Sequence, residues 1–148
     1  MAVAEPGSYP IDITWDTGAV DHVASQADLP NYAVEESEGS KAGRRFVTAS
    51  GKEILQEGQV KAQMADQSCK QRLGSIFQVT AVNRPLWSIS KVLDDQADPN
   101  CEVVFERDGA VARDSKGRVF AKAVRQGGLY VARLDLQNPK AQGFVRQG

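Results

Sequence analysis

The sequence is poor in the residues that metal centres, disulfide frameworks and membrane spans require. Its 148 residues include two cysteines, Cys69 and Cys101, and one histidine, His22. Neither cysteine lies in a Cys-x-x-Cys pair, and one histidine cannot complete a usual zinc set with them. A usual zinc site is therefore not called for. A reducing, intracellular compartment is the favoured setting, with a Cys69–Cys101 disulfide as the lesser alternative. No apolar run approaches the about 20 residues that span a bilayer as a helix. The opening Met1-Ala2-Val3-Ala4-Glu5-Pro6-Gly7 lacks the positive flank and apolar core of a secretory signal. Charge of one sign is missing too: 18 Lys and Arg against 19 Asp and Glu give a net charge of -1 and a pI of about 5.8. That balance argues against a surface built throughout for nucleic acid. There is no internal repeat and no heptad.

What remains is an ordinary globular composition, 41% hydrophobic and 25% charged. A chain of this length buries roughly 68–70% of its unfolded surface, enough for one core without metal or disulfide support. The stretch that organises it is Ile11-Asp12-Ile13-Thr14-Trp15, which has the β-branched and aromatic character of a buried strand and ends in Asp16-Thr17-Gly18-Ala19. Here glycine permits close backbone approach, threonine can brace the turn, and the aspartate is left facing outward.

Further strands are expected over Val20–Ala24, over 59–64 and over 76–82, with a polar connection from Ser25 to Arg45 and another loop over 65–72. Phe46-Val47-Thr48 and Ile54-Leu55 flank Ser50-Gly51 and read as a β-hairpin. Pro85 stops the strand over 76–82, and Leu86–Leu93 has the apolar spacing of a short helix beginning near that proline. Two more hairpins are expected, 102–105 with 110–112 and 118–121 with 129–132. The basic set Arg113, Lys116, Arg118, Lys122 and Arg125 is interrupted by Asp114 and lacks stacking aromatics, so it reads as a solvated hairpin face rather than a nucleic-acid interface. Trp15 and Trp87 read as core, and His22 as a surface or satisfied core residue.

The order of strand, Asp16-Thr17-Gly18-Ala19 turn, hairpin, apolar strand, Asn83-Arg84-Pro85-Leu86-Trp87 and short helix resembles the retropepsins, the single-domain aspartic peptidases of retroviruses and retrotransposons. The later pieces, Leu86-Trp87-Ser88-Ile89-Ser90, Val103-Val104-Phe105 with Asp108-Gly109, and Gly127-Gly128-Leu129-Tyr130, look like the protease-to-integrase stretch of copia-type retrotransposon polyproteins. The resemblance covers roughly residues 11–136. It implies an all-β, closed retropepsin-like fold over 9–100 with one short helix, a β-hairpin extension over 101–136 and a polar tail over 137–148.

With one Asp-Thr-Gly per chain, the resemblance implies a homodimer whose two Asp16 side chains form the catalytic pair that hydrolyses a polypeptide substrate. It implies neither metal nor cofactor. Thr17 would brace the turn across the dimer and Gly18 would offer its carbonyl to an extended peptide. Ala19 and Asp21 would flank that peptide, and Ser50-Gly51 would be the tip of a closing flap. Arg84 would pair with Asp21 or with carbonyls near the turn. The chain departs from the family pattern at Val20, where an acidic residue is usual, at Asn83, where glycine is usual, and at a flap tip with one glycine. Those departures motivate the alternative of a catalytically inactive, retrotransposon-derived subunit that binds or assembles with other proteins.

Overall fold

The computed structural model describes residues 7–47, 51–66, 69 and 71–139. Its strands are β1 (Ser8–Asp16), β2 (Val23–Ala24), β3 (Arg45–Val47), β4 (Glu53–Leu55), β5 (Gly58–Asp66), β6 (Gln71–Val79), β7 (Leu86–Ser88), β8 (Glu102–Phe105), β9 (Gly109–Arg113), β10 (Val119–Gln126) and β11 (Leu129–Gln137). Two short helices, α1 (Glu38–Lys41) and α2 (Ile89–Asp95), and a 3-10 turn over Gln26–Asp28 complete it. The fold is all-β, as the residue pattern predicts.

Nine strands form one sheet in the order β1-β7-β2-β6-β5-β11-β10-β9-β8, and a further pairing of β1 with β11 closes its first six strands into a ring. Alternation drives the longest ladder. Along β5 and β6 every second residue is buried, from Val60, Ala62 and Met64 on one strand to Leu73, Ser75 and Phe77 on the other. Ile13, Leu134, Leu136 and Phe77 are almost fully inside the ring. Each such side chain contributes about 1.5–3 kcal/mol by leaving water. Asp12 faces outward opposite Arg133 on β11, whose guanidinium grips it with bonds of 2.7 and 2.9 Å.

Several local expectations are corrected. The helix expected from Leu86 starts later, because Thr14 donates its N–H to the Pro85 carbonyl at 3.0 Å and draws Leu86–Ser88 into parallel pairing with β1. Ser88, not Pro85, then caps α2, its hydroxyl accepting from the Lys91 N–H. Trp87 therefore sits on a strand, and its indole donates to the Ser75 hydroxyl at 3.1 Å. The loop expected over 65–72 is shorter, since β6 already begins at Gln71 with its polar residues on the outer face. Within the polar connection from Ser25 to Arg45, both helical turns are held by serine capping boxes, at Ser25 and Ser37.

The hairpin of 102–105 with 110–112 forms as expected, whereas 119–121, expected opposite 129–132, pair with β9, and it is 124–126 that turn through Gly127-Gly128 to pair with 129–131. The last strand, β11, also pairs with β5 and β1, so residues 101–136 are continuous with the ring. The basic residues there are engaged locally: Arg113 with Glu102, Arg118 with Asp114, and Arg125 with the carbonyls of Arg107 and Gly127. Among the described residues no helix is long and apolar enough to cross a membrane. No disulfide joins Cys69 and Cys101.

Candidate active-site cleft at Asp16

Two parallel pairings set up the site. β1 runs parallel to β7, and β2 runs parallel to β6, while β7 and β2 are antiparallel neighbours between them. The connection from β1 to β2 (residues 17–22) must therefore step over β7, and that from β6 to β7 (residues 80–85) must step over β2. The first connection steps over the end of β7 and the second over the opposite end of the strip, past the end of β2; both line the same cleft, and Asp16 leads into the first.

Each connection is fastened by hydrogen bonds to the strand it steps over. Asp16 is the register partner of Ser88. The Ser88 hydroxyl donates to the Ala19 carbonyl at 2.7 Å, and the Ser88 N–H donates to His22 Nδ1 at 3.1 Å. Gln78 donates its N–H to the His22 carbonyl at 2.8 Å, and Thr80 to that of Ala24 at 3.1 Å. Within the turn, Gly18 donates its N–H to the Asp16 carboxylate at 2.7 Å, which fixes one carboxylate oxygen and leaves the group partly exposed. A side chain at Gly18 would crowd that same oxygen, with a Cβ 3.3 Å from it.

Asp16 lies on the wall of a cleft of about 780 Å³. Gly18, Ala19 and Asp21 line it from the turn, Val82 and Arg84 from the second connection, and Val47, Lys52 and Ile54 from the hairpin β3–β4. Asp16, Gly18, Ala19 and Asp21 are thus brought together as the sequence suggests. Thr17 is exposed and lines a neighbouring depression of about 630 Å³, together with Phe105, Leu129 and Tyr130. Gly51 stands in open space with φ 87°, near the hairpin tip, and is not part of the cleft wall. Ser50 lies outside the described residues. Arg84 forms no ion pair with Asp21; it lines both the cleft and the depression beside Thr17.

The hairpin β3–β4 is a separate two-stranded sheet. Its base is tied where the Thr80 hydroxyl donates to the Leu55 carbonyl at 2.8 Å and Gln56 N–H donates to the Arg44 carbonyl. Gln56 is buried beneath it and donates to Ser37 and to Gln78. A Cβ at Gly39 would fall 1.9 Å from the Gln56 carboxamide oxygen, so any larger residue there requires the Gln56 side chain to move.

His22 is the residue the sequence understated. Only 1% exposed, it packs against Phe77 and Trp87 directly behind the turn. Burial, with help from the nearby Lys91 charge, pushes its pKa down from 6.5 to about 4. The only local signal for burial is the apolar pair Val23-Ala24 that follows it; the bond to Ser88, 66 residues away, has no local signature. Among the described residues no group of three or more His, Cys, Asp or Glu side chains could hold a metal ion.

This arrangement presents a fixed, solvent-reachable carboxylate at the floor of a cleft with an apolar and basic lining. No family model matches the chain, and comparison with curated proteins and with solved structures yields no match.

Proposed function

We propose that the chain is an aspartic endopeptidase of retropepsin type, working as a homodimer in which two Asp16 carboxylates face each other across a twofold axis. The observation that carries this reading is the position of Asp16: a braced, partly exposed carboxylate at the end of β1, on the wall of a cleft lined by two connections and a hairpin. One chain supplies one such turn, so the second carboxylate comes from a second copy. Two carboxylates about 3 Å apart share one proton and titrate as a unit. One Asp16 takes a proton from water as it attacks the scissile carbonyl carbon. The other donates its proton to the carbonyl oxygen, giving a tetrahedral diol that collapses as the C–N bond breaks and the leaving amine is protonated. The hairpin closes over an extended peptide and excludes water.

The test is cleavage of a mixed peptide pool at mildly acidic pH by the native chain and by Asp16→Asn. Asparagine still offers an oxygen to the Gly18 N–H, so the variant keeps its fold and loses cleavage. A native chain that is dimeric by sedimentation and cuts nothing the variant does not would overturn the enzyme reading. The alternative of an inactive binding subunit is favoured by one observation: Val20 and Val47, both on the cleft, are 79% and 70% exposed. On that reading Asp16→Asn leaves partner binding unchanged, while Val20→Glu abolishes it.

A further inference from the structure

Two elements meet behind Asp16, and a single side chain joins them. His22 closes the connection that begins at Asp16, and Ser88 ends the strand that runs beside it. The bond runs from the Ser88 N–H to His22 Nδ1 at 3.1 Å. An imidazole can accept there only when Nδ1 carries no proton, so the ring is the neutral Nε2–H tautomer. Ser88 is also bound to the Ala19 carbonyl and caps α2, so one residue couples the turn, the strand and the helix.

We propose that His22 is a positioning residue for Asp16, whose neutral ring latches the 17–22 connection to Ser88, and that protonation of the ring opens this latch and sets the acid limit of the site. The proposal rests on Asp16 being the working carboxylate. A protonated ring has a donor on both nitrogens, so Nδ1–H would confront the Ser88 N–H and the bond would be replaced by repulsion. The Ser88 amide, buried with its residue, would be left without its acceptor. Relief requires Ser88 and the turn to separate, and that displaces Ala19 and Asp16.

The charged groups around the ring explain why the latch stays shut in mild acid. From α2 come Asp95, 3.8 Å from Nε2, and Lys91. Arg72 of β6 faces it across a cavity of about 240 Å³, and Asp21 adjoins it in the chain. β7 and the near part of β6 present only the rings of Trp87 and Phe77 and the hydroxyl of Ser75. Burial outweighs the Asp95 attraction, so the ring stays neutral until about pH 4. A carboxylate dyad that shares one proton at mildly acidic pH thus works while the latch is closed.

The experiment follows the His22 ring and the amides of Ser88 and residues 17–21 by NMR in the intact native protein as pH falls, beside pH profiles of cleavage for the native chain, His22→Asn and His22→Leu. Asparagine places an oxygen where Nδ1 lies and does not titrate. The expected result is that the amides move with the ring titration near pH 4, that native kcat falls with the same midpoint, and that His22→Asn keeps cleavage with its acid limb shifted to lower pH. His22→Leu, lacking the acceptor, loses on the order of 10²-fold in kcat. Amides that ignore the ring titration, or a His22→Asn profile with the native acid limb, would overturn the proposal. The NMR titration reads the latch without any variant or substrate. A native chain whose amides respond but which cuts nothing therefore retains the latch and refutes the peptidase reading alone.

Discussion

The cleft has a floor and a roof built on opposite principles. The floor is the pair of connections over 17–22 and 80–85, over-determined by bonds among Asp16, Gly18, Ala19, His22, Ala24, Gln78, Thr80 and Ser88 and backed by the rings of Trp87 and Phe77. The roof is the hairpin β3–β4, a two-stranded sheet with Val47 and Leu55 exposed, tied mainly at its base. A lone hairpin is marginally stable, so its free energy of opening lies far below that of the ring. The contrast suits a site that must hold a carboxylate still and yet admit a chain from outside. Precision sits where backbone and side chains are buried; access sits where they are not.

The largest effect that sharpens this contrast is the pH dependence of stability, which belongs to the floor. The folded His22 titrates at about 4 against an ordinary value of 6.5. In the unfolded chain the ring takes up a proton as pH falls through 6.5, while the folded ring does not until about 4. Stability from burying the neutral ring is therefore complete above 6.5, declines as pH falls, and is gone below about 4. The total is on the order of 3 kcal/mol. Urea unfolding between pH 7 and pH 4 should show this decline in the native chain, and a nearly flat profile in His22→Asn. A native profile as flat as the variant's would mean that the floor is not sealed against protons.

A smaller effect cuts floor from roof. Thr80 is fully buried, donates its N–H to Ala24 on the floor side and its hydroxyl to Leu55 on the roof side. Thr80→Val keeps the shape and the backbone bond and deletes only the tie to the roof. The expected cost is about 1 kcal/mol. Amide exchange should show where it falls: hairpin amides at 45–47 and 53–55 exchange faster, while Gln78 and Ser88 keep their protection. Equal loss of protection on both sides would mean that roof and floor open as one unit.

The same division governs how far the sequence could be read. β1, the hairpins and the core placement of Trp15 and Trp87 were legible because each rests on local alternation, a turn signal or apolar size. Asp16 was legible as a candidate because its turn is four consecutive residues. The insertion of β7 between β1 and β2 was not, since parallel pairing of Leu86–Ser88 with β1 joins residues some seventy apart and overrides the helical spacing of that segment. The first half of β6 is hard to read because Gln71 is polar and Arg72 and Gly74, on the outer face, carry no apolar signal. The sequence leaves His22 between a surface and a satisfied core role, because what it holds, the Ser88 N–H, is a tertiary contact.

The smallest effect tests the roof by itself. Arg45 and Glu53 pair across the hairpin at 3.8 Å with side chains 56% and 64% exposed. Both remain hydrated, so the attraction is screened, and ordering two long side chains offsets most of what is left. Glu53→Gln keeps the length and polarity of the side chain and removes its charge. Thermal unfolding should therefore move by less than about 0.5 kcal/mol in equivalent stability. Its consequence lies in the cleft, where Arg45 is a wall residue alongside Lys52 and Arg84. Freed from Glu53, Arg45 adds a positive charge to that wall, so acidic peptides should bind more tightly at low ionic strength, and the gain should vanish in salt. A large stability loss in Glu53→Gln would show that the roof is held along its length, and the contrast with the floor would fail.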